Sequence, residues 1–175
     1  MSENLCLEPL LKRRSVRVYE DREVPMDLIL KILDIARWAP SARNAQPWEF
    51  VVVNDRKILE ELSKIHFGAE PLSKAPVAVV VLCDTNISPT TYHVDCANAT
   101  LYIMLAAYCM GLGTVWINSL RNIEEVRKII KAPSSKVPVA IIAIGYSAEK
   151  PKIKPRKPLN QLVHIGVYGN KLSQT

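Results

Sequence analysis

The sequence predicts a mixed fold, α+β or α/β, with about four strands and five helices. Three observations carry that reading. Stretches with apolar residues at three- and four-residue spacing alternate with runs of β-branched residues, the runs are bounded by Pro, Gly and Asp, and no repeat or linker divides the 175 residues. Positions 1–175 are therefore read as a single domain, and a chain of this length buries roughly 70% of its unfolded surface on folding. With 49% hydrophobic and 23% charged residues it has the apolar content for a core, which excludes a disordered class.

Taken in order, "LEPLLKRR" predicts a short helix ending near Ser15. In "PMDLILKILDIARWAP", Leu28, Ile32, Leu33, Ile35 and Ala36 form one apolar face, with Asp27 in the first turn and Pro40 past the end. "WEFVVVND" reads as a strand, Asp55 as the N-cap of the helix "RKILEELSKIH", and "PVAVVVLCD" as a strand buried on both faces, because it is continuously apolar. From Tyr92 to Met110 the chain is apolar on almost every side and closes on Gly111, a C-cap; such a helix belongs in the middle of something large. "TVWIN" is a third strand, Asn122 with Glu125 has capping-box spacing for "IEEVRKII", and "VPVAIIAIGY" is a fourth strand. The tail is a Pro-broken basic loop followed by a short apolar segment.

The net charge of +6 is localised. Residues 12–17 hold Lys12, Arg13, Arg14 and Arg17, and residues 150–157 hold Lys150, Lys152, Lys154, Arg156 and Lys157, with no acid in either. Outside these patches 14 basic residues face 17 acidic ones, a net −3. A general basic surface for nucleic acid is not expected. In an extended chain Arg13, Ser15 and Arg17 share one side, an arrangement suited to phosphate oxygens; the patch alone is equally a solvated helix end. The loop "APSARNAQPW" between Pro40 and Pro47 holds Ser41, Asn44 and Gln46, whose amides suit a heterocycle with C=O and N–H edges, or a capped turn.

"RRSVR", then "APSARNAQPWEFVVV", "AAYCMGLGTVWINS" and "KPRKPL", in this order and over nearly the whole chain, resemble the FMN-dependent nitroreductase family. The resemblance implies a three-layer α+β fold with a mainly antiparallel central sheet, an intertwined homodimer, and FMN at the subunit interface. It implies that Arg13, Arg14, Ser15 and Arg17 grip the flavin phosphate and ribityl chain, completed by Lys154 and Arg156, with Lys157 as a substitute and Lys12 left as surface charge. Pro40, Ser41, Ala42 and Asn44 would serve the partner's flavin, with Gln46 beside them or bracing the loop. Trp116, Ile117, Asn118 and Ser119 would lie along the ring, a main-chain N–H donating to N5, with no catalytic acid or base.

The implied activity is ping-pong hydride transfer from NADH or NADPH through FMN to nitroaromatics, quinones or similar acceptors. The alternatives are reductive dehalogenation or flavin breakdown on the same scaffold, or a nonenzymatic phosphate or nucleic-acid binder. Ala42, where many family members have Ser or Gly, and Asn118 and Ser119, where acidic-Gly or Gly-Ser pairs are common, put donor count and substrate preference in doubt. The short interval from Asp84 to Tyr92 implies a small lid and a permissive pocket.

No run reaches the roughly 18 apolar residues of a membrane span, and the acid-bearing start lacks a leader pattern, so a soluble cytoplasmic protein is expected. Cys6, Cys83, Cys96 and Cys109 contain no CxxC pair and are expected as free thiols in a reducing cytosol. His93 and Cys96, three apart, are too few for a metal site. His66 and His164 read as surface or capping residues, Trp38 and Trp48 as packing anchors, and Tyr102 and Tyr108 as core or dimer-interface residues.

Overall fold

The structure, a computed structural model, describes residues 7–172. Four strands, β1 (Trp48–Val53), β2 (Val77–Asp84), β3 (Gly113–Asn118) and β4 (Lys136–Gly145), form one antiparallel sheet in the order β1-β2-β4-β3. The class is thus α+β. β2 and β4 are the central pair and are buried nearly throughout, because helices cover both faces. Strand alternation assigns Val77, Val79, Val81 and Cys83 to the face under α2 (Met26–Ala36) and α4 (Tyr92–Cys109). Ala78, Val80 and Leu82 meet α3 (Arg56–Leu62) and α5 (Ile123–Ile130) on the other. Short helices α1 (Glu8–Lys12) and α6 (Leu159–Leu162) stand near the two ends.

Local chemistry accounts for most boundaries. Asp55 accepts the N–H groups of Lys57 and Ile58 at 2.8 and 3.1 Å and starts α3. Gly111, at φ +76, turns the chain out of α4, and Leu112 N–H then reaches the Ala107 carbonyl at 2.9 Å. The helix α1 ends at Lys12, short of Ser15, because Arg13 takes an extended ψ of 134°. Asn122 does not form the expected capping box: its amide donates to the Glu125 carboxylate at 3.2 Å and to the Ile65 carbonyl at 2.9 Å, and its side chain caps no backbone N–H. A 3-10 segment, Phe67–Ser73, was not foreseen; its one clear punctuation, Pro71, lies inside it.

Two further expectations are overturned. Cys83 and Cys96 form a disulfide, with Cα atoms 6.1 Å apart, where the end of β2 faces the first turns of α4. Their separation of 13 residues gives no local signal, because the tertiary packing of helix on sheet sets the pairing. Cys109 is free but exposed, and Cys6 lies outside the described residues. Trp48 is a buried anchor as expected, whereas Trp38 is 71% exposed.

Candidate active site

Residues 13–20 leave α1 as an extended arm laid against one end of the sheet. Val16 N–H donates to the Thr114 carbonyl at 2.9 Å, Ala148 N–H to the Val18 carbonyl at 3.0 Å, and Glu20 N–H to the Tyr146 carbonyl at 2.9 Å. Val16 and Tyr19 point into the core, and the Tyr19 hydroxyl donates to the Val16 carbonyl at 2.7 Å. The close approach depends on Gly113 and Gly145, which face each other across β3 and β4. A Cβ on Gly113 would stand 2.8 Å from the Val16 side chain, and one on Gly145 would stand 2.8 Å from Tyr19 and Pro76.

With Val16 and Tyr19 inward, the arm's basic side chains face out toward the C-terminal loop. Arg13, Arg14, Ser15 and Arg17 line a cleft of about 280 Å³ with Lys154 and Arg156. The two charge patches, far apart in sequence, are brought together here. Lys152 also lines the cleft, a residue the motif match missed, and Lys157 does not. Two cationic donors, Arg13 Nη1 and Arg14 Nε, are buried with no hydrogen-bond partner. Burial, and after it the charges of Arg14 and Arg156, lowers the pKa of the Arg13 guanidinium. Arg14 Nη1 meanwhile caps the end of α1 through the Leu11 and Arg13 carbonyls at 2.7 Å. Crowded cations with orphaned donors call for an anion of compact, multidentate shape.

A second cleft of about 850 Å³ adjoins the first and shares Arg14, Glu149 and Pro151 with it; Pro9, Val16, Tyr108 and Leu112 give it apolar walls. Lys12, read as surface charge, pairs with Glu8 at 3.5 Å and lines this larger cleft.

The loop after α2 is shaped by strain. Arg43, Asn44 and Gln46 have φ of 54, 56 and 48°, the left-handed region, which costs on the order of 1–3 kcal/mol per non-glycine residue. Local bonds offset this: Ser41 Oγ accepts Gln46 N–H at 3.0 Å, Asn98 Nδ2 donates to the Pro40 carbonyl at 3.0 Å, and Asp95 Oδ1 accepts Ala42 N–H at 2.9 Å. Gln46 Nε2 donates to the Asn44 carbonyl at 3.2 Å, so this side chain braces the loop. Asp95 is 2% exposed. Burial opposes its ionisation, yet the Ala42 N–H and the hydroxyls of Ser88 and Thr91 outweigh that and hold its pKa below the usual carboxylate value.

The loop and the basic cleft are not brought together within one chain. Asp95 anchors the loop at one end of α4 and Tyr108 lines the larger cleft at the other, about 20 Å away at 1.5 Å per residue.

Along β3, Trp116 and Asn118 are exposed, while Ile117 and Ser119 are buried and Ser119 Oγ donates to the Pro138 carbonyl at 2.7 Å. Of these four, only Trp116 and Asn118 present side chains to solvent. The Thr114 carbonyl faces away from β4, toward Val16, and the two-residue period turns the N–H groups of Trp116 and Asn118 the same way. The Asn118 carbonyl lies on that outer edge too, 2.9 Å from His66 Nε2. The β3 edge thus offers main-chain donors without a titrating acid in line.

Among the described residues no helix is long and apolar enough to cross a membrane. The chain matches the Nitroreductase family over residues 10–88 and 67–146. A relative from Methanothermobacter thermautotrophicus, whose name pairs NADH dehydrogenase with NAD(P)H nitroreductase, is 41% identical over 83% of this chain and 78% of its own. A similarly named protein from Parabacteroides distasonis superposes with a TM-score of 0.89 at 38% identity, over 94% of this chain and 100% of that one. An FMN-dependent nitroreductase from Clostridium difficile superposes with a TM-score of 0.85 at 34% identity, over 93% and 99%.

Proposed function

The chain belongs to the nitroreductase family, and from that premise we propose that it is an FMN-dependent oxidoreductase drawing electrons from NADH or NADPH. Its acceptors are nitroaromatics, quinones or similar conjugated molecules. One observation carries the reading: the orphaned donors of Arg13 and Arg14 lie in a cleft of six cations beside a larger, mainly apolar cleft. A phosphate monoester fits the cation cleft, and the larger cleft meets β3 only at Gly113, so a flat ring attached to that phosphate would run along the β3 edge.

Arg13, Arg14, Ser15, Arg17, Lys154 and Arg156 would hold the phosphate. Charge-assisted hydrogen bonds contribute about 1.5–3 kcal/mol each, so two satisfied donors favour FMN over riboflavin by roughly a hundredfold or more. Held there, FMN would supply hydride chemistry between a reduced nicotinamide and an acceptor that visit the site in turn. The outward N–H groups of Trp116 and Asn118 on the β3 edge would orient the ring, as main-chain donors available to its N5. No side chain of the edge need move a proton. Fixed donors and a preset cleft lower the barrier by position and electrostatics.

The α4 separation supports a homodimer in which Pro40, Ser41, Ala42 and Asn44 of one chain complete the flavin site of the other. A seam on α4 at Val94, Asn98, Leu101, Leu105 and Tyr108 alternates four- and three-residue steps and is only partly covered. Leu159, Leu162, Ile165 and Tyr168 of the tail are each more than half exposed, apolar surface that a second copy would cover. Residues 1–175 would form one FMN-binding domain per subunit.

Anaerobic stopped-flow tests the reading. NADH or NADPH should bleach the flavin absorbance, and a quinone or nitroaromatic should restore it in a separate phase. A flavin that neither nicotinamide reduces would contradict it. The short interval of residues 85–91 between β2 and α4 leaves little room for a substrate-gripping lid, which favours the general reductase over dehalogenation or flavin breakdown on the same scaffold.

A further inference from the structure

An acid stands in the cation cleft. Among the described residues that line it, Glu149 is the one carboxylate, facing Arg13, Arg14, Arg17, Lys152, Lys154 and Arg156. An anion there opposes phosphate by simple Coulomb repulsion, so its presence needs a physical reason.

The backbone supplies one. Where the two basic arms meet, residues 18–20 pair with 146–148: Glu20 N–H bonds the Tyr146 carbonyl, Tyr19 lies opposite Ser147, and Ala148 N–H bonds the Val18 carbonyl. Beyond that point the arms diverge around the cleft, toward Arg13 on one side and Lys154 on the other. At the fork Glu149 Oε1 accepts both Arg17 N–H, at 2.5 Å, and Val18 N–H, at 3.1 Å. Its side chain takes over where main-chain pairing stops. Glu149 is itself held, its N–H donating to Ser147 Oγ at 3.3 Å and its carbonyl accepting from that hydroxyl at 2.7 Å. The segments 12–17 and 150–157, with nine basic residues and no acid, repel each other, and two hydrogen bonds at the root of the fork hold them together against that.

We propose that Glu149 is the positioning residue of the phosphate site, a latch that bonds the N-terminal arm to the start of the C-terminal one and fixes the separation at which their cations grip one phosphate. The proposal rests on the FMN reading. Two features of the side chain, reach and charge, can be varied separately. Glu149→Gln keeps the reach and an acceptor oxygen; Glu149→Asp keeps the charge and loses one methylene of reach.

The test measures FMN and riboflavin dissociation constants for the full-length wild type and both variants, with hydrogen exchange at the Arg17 and Val18 amides of the flavin-free proteins. Glu149→Gln should bind FMN within about threefold of wild type or more tightly, and keep both amides protected. Glu149→Asp should weaken FMN by about tenfold or more, change riboflavin by less than about threefold, and expose the amides. A Glu149→Asp protein that matches wild type while Glu149→Gln fails would overturn the latch in favour of a counter-charge. Equal loss of both flavins would overturn it in favour of a general fold defect. If the wild type binds neither flavin, the FMN reading fails, and the latch is then decided by the exchange measurement: protection retained in Glu149→Gln and lost in Glu149→Asp upholds it, and any other pattern overturns it.

Discussion

Arg13 combines burial, repulsion from Arg14 and Arg156, and a donor with no partner. Each of these is a cost to the cleft that a bound dianion offsets. Arg13→Ala should therefore weaken FMN by about tenfold or more while leaving the fold's thermal midpoint unchanged or higher, because an uncompensated cation has gone. Fluorescence titration with FMN and a melting curve read the two effects. The double variant Arg14→Ala with Arg17→Ala should lose FMN on purification; full occupancy would remove these residues from the site. Gly113 is the less obvious position. A methyl group there meets Val16 at 2.8 Å, so Gly113→Ala should push the arm off the sheet, cost about 1–3 kcal/mol in denaturant unfolding, and weaken FMN as well. Motif matching found the arginines because charge and order are visible in a sequence. Gly113 and Glu149 stayed hidden, since one matters through a van der Waals approach and the other through a hydrogen bond to residues 131 and 132 positions away.

The helix α4 carries the strained loop at one end and a wall of the larger cleft at the other. Its all-round apolar character was legible in the sequence, and so was its Gly111 stop, because both depend on composition and local geometry. Its tie to the sheet was not, since the Cys83–Cys96 pairing is set by the packing of β2 on α4. Asp95 connects this element to function. Its carboxylate, held below its ordinary pKa by three donors that outweigh burial, anchors Ala42. A depressed pKa contributes stability that is present above the unfolded value of about 3.9 and is lost as pH falls through the lower folded value. Asp84 shifts the same way, through its bond to Lys136. The loop's grip should thus persist to about pH 4 and fail below it, with flavin release following protonation. Release of FMN already at pH 6 would show that Asp95 does not hold the loop.

For the whole molecule, the sequence itself left α+β and α/β open with about four strands and five helices, and the antiparallel order of one helix-flanked sheet confirms the α+β class that the resemblance implied. The compartment is less legible. Four free thiols were expected, whereas the disulfide removes Cys83 and Cys96 from labelling and leaves Cys109 exposed. In denatured, unreduced protein a thiol reagent should therefore label Cys109 and leave Cys83 and Cys96 unlabelled, and labelling of those two would contradict the bond. The pairing removes the thiol count as an argument for a reducing compartment. The partly covered α4 seam and exposed apolar tail should be buried in a dimer, which light scattering would read as twice the 19.6 kDa chain mass. All of this turns on whether the basic cleft holds the phosphate of FMN. The most direct measurement is the flavin content of the purified protein after incubation with FMN and gel filtration. One FMN retained per chain, with riboflavin washed away under the same conditions, is the predicted result; a colourless protein, or one that retains both flavins equally, would contradict it.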